Sequence, residues 1–369
     1  MGNYYLITFT PLGRFFFGSS QSWGESFYAK SLEFPTQTTI LGSLRRTLLK
    51  QNNLLDDKLR YPINPVSEDV KKLTGTSPAK GFDENDLNLG IINKLSPVFV
   101  TRFEKENIIE AFLPVPLDVF ISDSKLKIIQ YKKDDNAVFS RDDKYAYKKI
   151  TEGKTYSARV LGNKQYWDDY MDSKEVNYNS SLDIEKIIKP TSQPGIAREN
   201  RNKIDKEFYR KKDFMMKEGY VFGVIVEFTD GIDNKLKNDF VFLGGEQSKF
   251  EMKITKVEDT VKSYLPKPIE KFFNGYDPIV DDFRSSAEKI VFISHLFSEG
   301  KLPCIKHSVM NNMGTIRSLN ETGHKTQSFR VIPSGSVFYI DNNFTLKNDF
   351  RFASKIGYNY FIEVNRRIK

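Results

Sequence analysis

The sequence contains a single cysteine, and this scarcity excludes two kinds of site. Cys304 has no second cysteine with which to form an intramolecular disulfide, and a cysteine-rich zinc site is excluded for the same reason. The sequence also lacks any apolar run of the roughly 20 residues needed to cross a bilayer. Its first six residues lack the basic stretch of a signal peptide. We therefore expect a soluble, cytoplasmic protein.

The patterns that accompany metal or nucleotide chemistry are missing too. The acidic pairs at 142–143, 168–169 and 281–282 are adjacent in sequence, and adjacent side chains diverge on either a strand or a helix. No Gly-x4-Gly-Lys-Ser/Thr loop is present to hold a nucleotide phosphate. We expect no cofactor and no metal.

What the sequence has in abundance is aromatic and charged residues. Its 369 residues exceed the usual size of one hydrophobic core, so two domains are expected. A hydrophobic share of 39%, with 30 Phe and 18 Tyr, suffices for packed sheets. The formal charge of +8 favours a polyanionic partner, although acidic residues are plentiful as well.

The apolar pattern predicts an α+β protein built in two halves. A strand at 4–10 and a helix at about 38–50 precede a polar, turn-rich stretch, 51–94, which we interpret as an insertion or a lid. A second helix is predicted at 283–297, and further strands at 98–103, 108–115, 126–131, 220–228, 240–243, 250–257, 330–340 and 358–364. This pattern predicts two domains, 1–215 and 216–369, each an antiparallel sheet with helices packed on one face.

The segment 34–49 gives the clearest local prediction. Pro35 ends the preceding extended stretch, and Thr38 or Thr39 is predicted to cap a helix with leucines at helical spacing. On a helical wheel, Arg45 falls at the margin of the apolar stripe and Arg46 points away from it. An ordinary amphipathic helix with solvated arginines is the competing interpretation.

Gly42, inside the same predicted helix, has two possible roles. It permits another backbone to approach the helix closely, or it packs tightly within the fold. Either role accepts a helix cost of about 1 kcal/mol relative to alanine.

Four blocks of sequence, in the expected order, resemble one family. It is the RAMP-superfamily protein that forms the third subunit of the Cmr, or type III-B, CRISPR RNA-guided effector complex. The blocks are the Pro-Thr-Gly-Arg pattern of 34–49, the Gly-Ile pair, charged stretch and aromatic pair of 195–209, the Gly-Gly turn of 243–246 and the Pro-Ser-Gly-Ser-Val strand of 331–340. Two features depart from the family: Gln247 and Ser248 stand where a glycine and a basic residue are usual, and the C-terminal turn has only Gly357. The chain is identified as a divergent member.

The resemblance implies two ferredoxin-like domains, similar to RNA-recognition motifs, in one non-catalytic subunit. Such a subunit caps the complex at the 5′ tag of the CRISPR RNA during antiviral defence. Its implied partners are that RNA, the large polymerase-like subunit and the backbone RAMP subunits. A similar role is played by the type III-A counterpart, which the sequence does not distinguish from the Cmr subunit.

RNA capture needs cations for phosphates, backbone N–H groups in glycine-rich turns and aromatic faces for bases. The candidate RNA-binding residues are Gly42, Arg45, Arg46, Gly195, Arg198, Arg201, Arg210, Lys211, Gly244, Gly245 and Lys249. A solvated helix face is the competing interpretation of the second block, and a plain hairpin turn that of the third. In the glycine- and aromatic-rich loop at 13–24, which we call the first loop, Arg14, Phe15, Phe16 and Trp23 are candidates for base or subunit contacts, with core packing as the alternative for the phenylalanines.

Two other functions stay open. One is a RAMP-type, metal-independent endoribonuclease that processes CRISPR RNA, for which a histidine with a pKa near 7 is the natural base. The chain has only His295, His307 and His324, and none lies in the first predicted helix. The other is a protein interaction module that does not contact RNA.

Overall fold

The computed structural model describes most of the chain. The described residues are 3–18, 28–55, 67–76, 88–105, 107–122, 125–129, 131–134, 146–149, 159–172, 176–199, 202–229, 231–232, 234–245, 248–274, 282–285, 287–297, 305–316, 328–340, 344–347 and 350–365. None of the helices in these ranges is both long and apolar enough to span a membrane.

One long helix and several short ones are present. The helices are α1 (Gln37–Gln51), α2 (Glu68–Thr74), α3 (Lys164–Met171), α4 (Ile184–Ile187), α5 (Asp259–Lys262), α6 (Lys267–Glu270) and α7 (Arg351–Lys355). The longer ones begin at polar caps: Ser67 Oγ accepts from Val70 N at 3.3 Å before α2, and Asn163 Oδ1 accepts from Tyr166 N at 3.1 Å before α3.

Strands dominate the rest. In the first half they are β1 (Asn3–Pro11), β2 (Phe17–Gly18), β3 (Tyr28–Leu32), β4 (Ile92–Leu95), β5 (Phe99–Glu104), β6 (Asn107–Pro114), β7 (Val119–Ser122), β8 (Lys125–Ile128), β9 (Tyr131–Asp134), β10 (Ala146–Lys149), β11 (Val160–Gly162), β12 (Val176–Asn177) and β13 (Ser181–Asp183). In the second half they are β14 (Ile188–Glu199), β15 (Asn202–Met216), β16 (Tyr220–Phe228), β17 (Asp239–Phe242), β18 (Lys249–Lys256), β19 (Asp282–Ser285), β20 (Lys289–Phe292), β21 (Leu296–Phe297), β22 (Ile305–Val309), β23 (Gly314–Ile316), β24 (Phe329–Ile332), β25 (Val337–Ile340), β26 (Phe344–Lys347) and β27 (Phe361–Val364). The predicted α+β class is confirmed.

A nine-stranded sheet is the centre of the fold. Its order is β13-β11-β6-β5-β16-β1-β18-β17, and β4 also pairs with β16. The strands predicted at 98–103 and 108–115 are present as β5 and β6, which pair antiparallel, and β16 covers the residues that its apolar pattern indicated. Because β16 and β18 both pair antiparallel with β1, the strands that follow Gly219 complete the sheet that begins the chain. The predicted domain boundary at 215–216 therefore falls just before β16, a strand of this nine-stranded sheet.

The sheet separates two hydrophobic cores. Ile7 of β1 and Val224 of β16 point to the first core, which α1 covers, whereas Leu6 and Ile225 point to the second, which α3 and α6 cover. Helices therefore lie on both faces of this sheet, which corrects the expectation of helices on one face. Parts of the predicted insertion 51–94 also belong to the first core, because Leu73 and Ile91 are buried there.

The segment 283–297 is not the predicted helix but contains the strands β19, β20 and β21. Within it, Val291 points to the second core, whereas Ile290 and Phe292 point to a third. A strand buried on both faces is apolar at every position, so its sequence also fits a helical stripe. The predicted strand at 330–340 is likewise divided, because β24 and β25 belong to different sheets.

A buried charge pair joins distant parts of the chain. Lys289 Nζ lies 2.6 Å from Asp118 Oδ2, and the two residues are 4% and 0% exposed. Tyr339 Oη donates to the same oxygen at 2.8 Å, and Tyr170 Oη donates to Asp118 Oδ1 at 2.9 Å. This network ties the loop before β7 to α3, β20 and β25. Nothing in the sequence pattern marked these residues.

Candidate nucleic-acid interface

The start of α1 is fixed by a threonine two or three residues earlier than predicted. Thr36 is the N-cap, and its Oγ1 accepts a hydrogen bond from Thr39 N at 3.3 Å. The prediction that Thr38 or Thr39 caps the helix is therefore wrong, because these residues already lie in its first turn. The buried Gln37 then anchors the helix by donating to Ser96 O at 3.2 Å and to Gly357 O at 3.3 Å.

The solvent face of α1 carries Gly42, Arg46 and Lys50 at intervals of one helical turn. A Cβ placed on Gly42 would have no described atom within 4 Å, so the alternative of a tightly packed glycine fails among the described residues. Glycine destabilises the interior of a helix, and no contact among the described residues explains its presence here. We call these three positions the α1 face.

Arg45 and Arg46 differ in environment. Arg45 is only 7% exposed, and its Nη2 donates to Thr76 O at 3.0 Å, just beyond α2. Arg46 is exposed, as the helical wheel indicated. The guanidinium of Arg45 therefore links α1 to the α2 segment, whereas the side chain of Arg46 is accessible to a ligand.

Lys50, although exposed, forms an ion pair with an acidic residue. Its Nζ lies 2.8 Å from Asp239 Oδ2, and Gln51 Nε2 donates to the same oxygen at 3.2 Å. Burial alone would raise the pKa of Asp239, but the hydrogen bonds from Lys50 and Gln51 outweigh it and lower that pKa. The charge of Lys50 is thus partly neutralised, whereas Arg46 lies one turn before this pair.

The described residues of the block at 195–209 belong to strands and not to a helix face. They lie in a long antiparallel hairpin of β14 and β15, in which Gly195 pairs with Tyr209 and Ile196 with Phe208. A register irregularity between Ile196 and Arg198 interrupts the ladder. The interpretation of this block as a solvated helix face is wrong because the block is divided between two strands, β14 and β15.

The hairpin concentrates positive charge. Between 188 and 216 the sequence has eight Lys and Arg against four Asp and Glu, a formal charge of +4 out of +8 for the whole chain. The backbone places Arg198 opposite Lys203 and Arg210 opposite Pro194. On its other side, β15 pairs in parallel with β3, and these strands are not part of the nine-stranded sheet. Arg201 lies outside the described residues.

At the base of the hairpin, the predicted RNA-binding residue Lys211 contacts other side chains of the chain. Its Nζ lies 3.3 Å from Asp213 Oδ1 and 4.9 Å from the centre of the Phe16 ring. With its amide oriented to satisfy both neighbours, Gln193 donates to Asp213 Oδ2 at 3.2 Å and accepts from Arg14. Lys211 therefore positions the hairpin base on the first loop.

The phenylalanines of that first loop are core residues. Phe15, Phe16 and Phe17 are 1%, 9% and 2% exposed, which confirms core packing. Phe15 also forms an isolated antiparallel bridge with Phe214 of β15. Trp23 lies outside the described residues.

The Gly-Gly turn is held tightly against the same loop. Gly244 has φ of +87°, and a Cβ on it would lie 2.6 Å from Phe16 O. Gly245 N donates to Phe16 O at 2.9 Å, and Ser248 Oγ accepts from Phe16 N at 3.0 Å. The Gly245 amide is therefore engaged inside the fold, as in a structural hairpin turn. Lys249 is exposed at the start of β18.

These elements lie on one side of the nine-stranded sheet. Side chains of α1, of the first loop and of the hairpin base all contribute to the first core, through Leu44, Phe15 and Phe214. The α1 face and the basic hairpin therefore flank the same core, and the other face of the sheet carries the second core.

Two histidines have pKa values far from neutrality. Burial lowers the pKa of His295 from 6.5 to about 4. Burial also lowers the pKa of His307 to about 4, although Asp118 opposes this shift. Both rings are neutral and weakly basic at pH 7. His324 lies outside the described residues, among which no cluster of three or more His, Cys, Asp or Glu side chains could hold a metal.

Comparisons with known proteins agree with this architecture. The solved structures that match include two described as cryo-EM structures of the type III-B Cmr-beta complex bound to cognate target RNA, one of them also with AMPPnP. The matched chains are 14% and 15% identical to this one, with a TM-score of 0.52 and coverage of 98% of this chain and 96% of theirs in both cases. They show that the fold is shared. No curated protein matches the chain.

The sequence itself matches a family model over most of its length. The model is described as CRISPR-associated protein (Cas_Cmr3), and it covers residues 7–272. That range begins within β1 and includes α1, the basic hairpin and the Gly-Gly turn, and so three of the four blocks that carried the resemblance. The family prediction is confirmed, and the chain belongs to the Cas_Cmr3 family of CRISPR-associated proteins.

Proposed function

We propose that this protein is a non-catalytic, RNA-binding scaffold subunit of a type III-B CRISPR effector complex. It caps the complex at the 5′ tag of the CRISPR RNA and contacts the large polymerase-like subunit and the backbone RAMP subunits, using two ferredoxin-like domains. Its work is antiviral defence in the cytoplasm. Membership of the Cas_Cmr3 family supports this proposal, as does the fold shared with chains of Cmr-beta complexes.

The observation that carries the RNA-binding part is the α1 face. Gly42 leaves the helix backbone open to approach, and Arg46 places an exposed guanidinium one turn later. A phosphate backbone that runs along the helix meets a cation and no obstructing side chain. The basic hairpin adds the larger share of positive charge beside the same core.

A sugar–phosphate chain is a better match to these features than an acidic protein surface. The hairpin spans 12 residues of β14 and 15 residues of β15, so its cations are spread along an extended ribbon. Phosphates recur at regular intervals along a nucleic acid, and such a ribbon can follow them.

The proposal that the protein is not a catalyst competes with the alternative that it is an endoribonuclease. A general base is most effective when its pKa lies near the working pH, and the described histidines have pKa values of about 4. Incubating the purified protein with repeat RNA in EDTA tests this point. We expect intact RNA, and specific cleavage that disappears in a His324→Ala variant would establish the alternative.

The RNA-binding part is tested by Arg46→Ala in the assembled complex. Arg45 is left unchanged because its burial makes a substitution destabilising, and Arg330→Ala is the matched control, since Arg330 is an exposed arginine on β24. We expect guide RNA affinity to fall by roughly fivefold to tenfold, and the slope of log affinity against log salt to become shallower by about 0.7. Equal affinities and slopes for the two variants would contradict the assignment of Arg46.

A further inference from the structure

Arg14 is an exposed arginine of the first loop. Within the described part of the chain, no carboxylate forms an ion pair with it, so its charge is not neutralised. Its described hydrogen-bond partner is Gln193, whose Oε1 accepts from Nη1 of the guanidinium. Because an arginine carries five N–H donors, the same guanidinium can still bind an acceptor outside the chain.

A buried carboxylate determines which end of the Gln193 amide meets Arg14. Asp213 is 2% exposed, and its Oδ2 accepts from Gln193 Nε2 at 3.2 Å. An ionised carboxylate only accepts hydrogen bonds and a guanidinium only donates them, whereas an amide does one at each end. The amide nitrogen of Gln193 therefore faces Asp213, and the amide oxygen faces Arg14.

The strands of the hairpin hold this arrangement in place. Gln193 pairs with Lys211 across the ladder, and Asp213 lies two residues beyond Lys211, on the same face of the sheet. Lys211 Nζ lies 3.3 Å from Asp213 Oδ1, so the second oxygen of the carboxylate is held as well. Side chains supported by paired strands are positioned more precisely than side chains on loops. We call Arg14, Gln193 and Asp213 the Arg14 relay.

Further cations lie beside the first loop. Lys249 is exposed at the start of β18, and its carbonyl accepts from Leu12 N at 3.0 Å, two residues before Arg14. On the hairpin side, Lys211 lies against an aromatic ring of the same loop. Arg14, Lys211 and Lys249 are three cations beside the one carboxylate of Asp213, and three positive charges less one negative charge leave +2.

An RNA strand matches this surface better than a single acidic side chain does. The two cations without a described carboxylate partner, Arg14 and Lys249, belong to different segments, and successive phosphates can pair with each in turn. Arg14 also lies at the base of the basic hairpin, along which we expect the RNA backbone to run. The oxygens of a phosphate suit the planar fork of a guanidinium.

We propose that Arg14 binds a phosphate of the guide RNA, and that Gln193 and Asp213 are positioning residues that orient its guanidinium for this contact. This inference rests on the proposed function, because it requires the guide RNA to follow the basic hairpin. It adds a contact at the base of the hairpin and the means by which the Arg14 relay holds that contact ready for RNA.

The first test is Arg14→Ala in the assembled complex, with Arg330→Ala as the matched control because both arginines are exposed. Filter binding with labelled guide RNA is repeated over a range of salt concentrations. We expect the affinity of Arg14→Ala to fall by roughly fivefold to tenfold, and the slope of log affinity against log salt to become shallower by about 0.7. Arg14→Lys keeps the charge but loses the fork, so it should bind more weakly than the wild type with an unchanged slope.

The second test separates positioning from a structural role. Gln193→Met keeps the length of the side chain and removes both hydrogen bonds, and the residue is exposed, so the fold should tolerate the change. Because every charge stays in place, we expect the affinity to be about threefold lower with an unchanged salt slope. In an Arg14→Ala background the same substitution should have no further effect, because a positioning residue acts only through Arg14.

The inference is overturned if Arg14→Ala matches Arg330→Ala in affinity and slope, or if it loses a protein subunit while guide RNA binding is unchanged. Equal losses from Gln193→Met in both backgrounds would show that Gln193 acts independently of Arg14, which would overturn its positioning role. Arg46→Ala, measured alongside, separates the inference from the proposed function. If only Arg46→Ala weakens binding, the inference alone fails, and if neither variant weakens it, the RNA contact of the proposed function fails too.

Discussion

Replacing Gly42 by glutamine separates stability from binding at one helix position. The site is exposed in the middle of α1, and a Cβ would meet no described atom within 4 Å. Glutamine is a good helix former, so the substitution removes most of a glycine penalty of about 1 kcal/mol. For a chain of 369 residues that unfolds as one unit, the melting temperature then rises by roughly 1 °C.

The same side chain projects from the α1 face, one turn before Arg46. If a nucleic-acid backbone approaches the helix there, the glutamine occupies its path, and we expect guide RNA affinity of the complex to fall by roughly tenfold, or about 1.4 kcal/mol. Differential scanning fluorimetry measures the first effect, and filter binding with labelled guide RNA measures the second.

Gly42→Ala is the matched control, because alanine restores helix propensity with a much shorter side chain. We expect it to gain as much stability as the glutamine variant and to lose less affinity. A glutamine variant that is more stable and retains guide RNA as well as the wild type would refute the role assigned to the α1 face.

Stability measurements test three other features. Lys289→Met leaves the buried Asp118 carboxylate without its cation, and we expect a loss of about 3–5 kcal/mol in urea titrations, whereas a loss below about 1 kcal/mol would contradict the account. Gly244→Ala imposes a Cβ at positive φ, so it should destabilise by roughly 1–3 kcal/mol in the same titrations, and a variant as stable as the wild type would show that the turn relaxes freely. His295 and His307 have folded pKa values lowered to about 4, so the unfolded state takes up more protons between pH 6.5 and 4. The free energy of unfolding should therefore decrease as the pH is lowered from 6.5 to 4, by on the order of 1–2 kcal/mol per histidine after allowing for partial exposure. His295→Gln should make this dependence of stability on pH weaker.

Local sequence signals were sufficient for six of the nine strands of the central sheet, whereas β4, β11 and β13 were not predicted. The alternating residues of β1 and the apolar run of β16 each have one consistent interpretation, and α1 follows from a polar start before regularly spaced leucines. The wheel also separated Arg45 from Arg46. It did not supply the partner of Arg45, because Thr76 is brought close only by the packing of α2 on α1.

Other features depend on contacts that a local pattern does not encode. The segment 283–297 reads equally well as a helix, and only the cores on both sides of β20 make it a strand. The charges of β14 and β15 obscure the alternation of a hairpin, whose register is set over 12 residues. The ion pair of Asp118 and Lys289 joins residues 171 apart in sequence.

The most direct test of the central claim is ultraviolet crosslinking of the complete complex, assembled with guide RNA and followed by mass spectrometry. If this chain holds the 5′ tag, nucleotides of the tag crosslink to peptides of α1 and of the β14–β15 hairpin. Tag nucleotides that crosslink only to other subunits, with none to this chain, would contradict that claim.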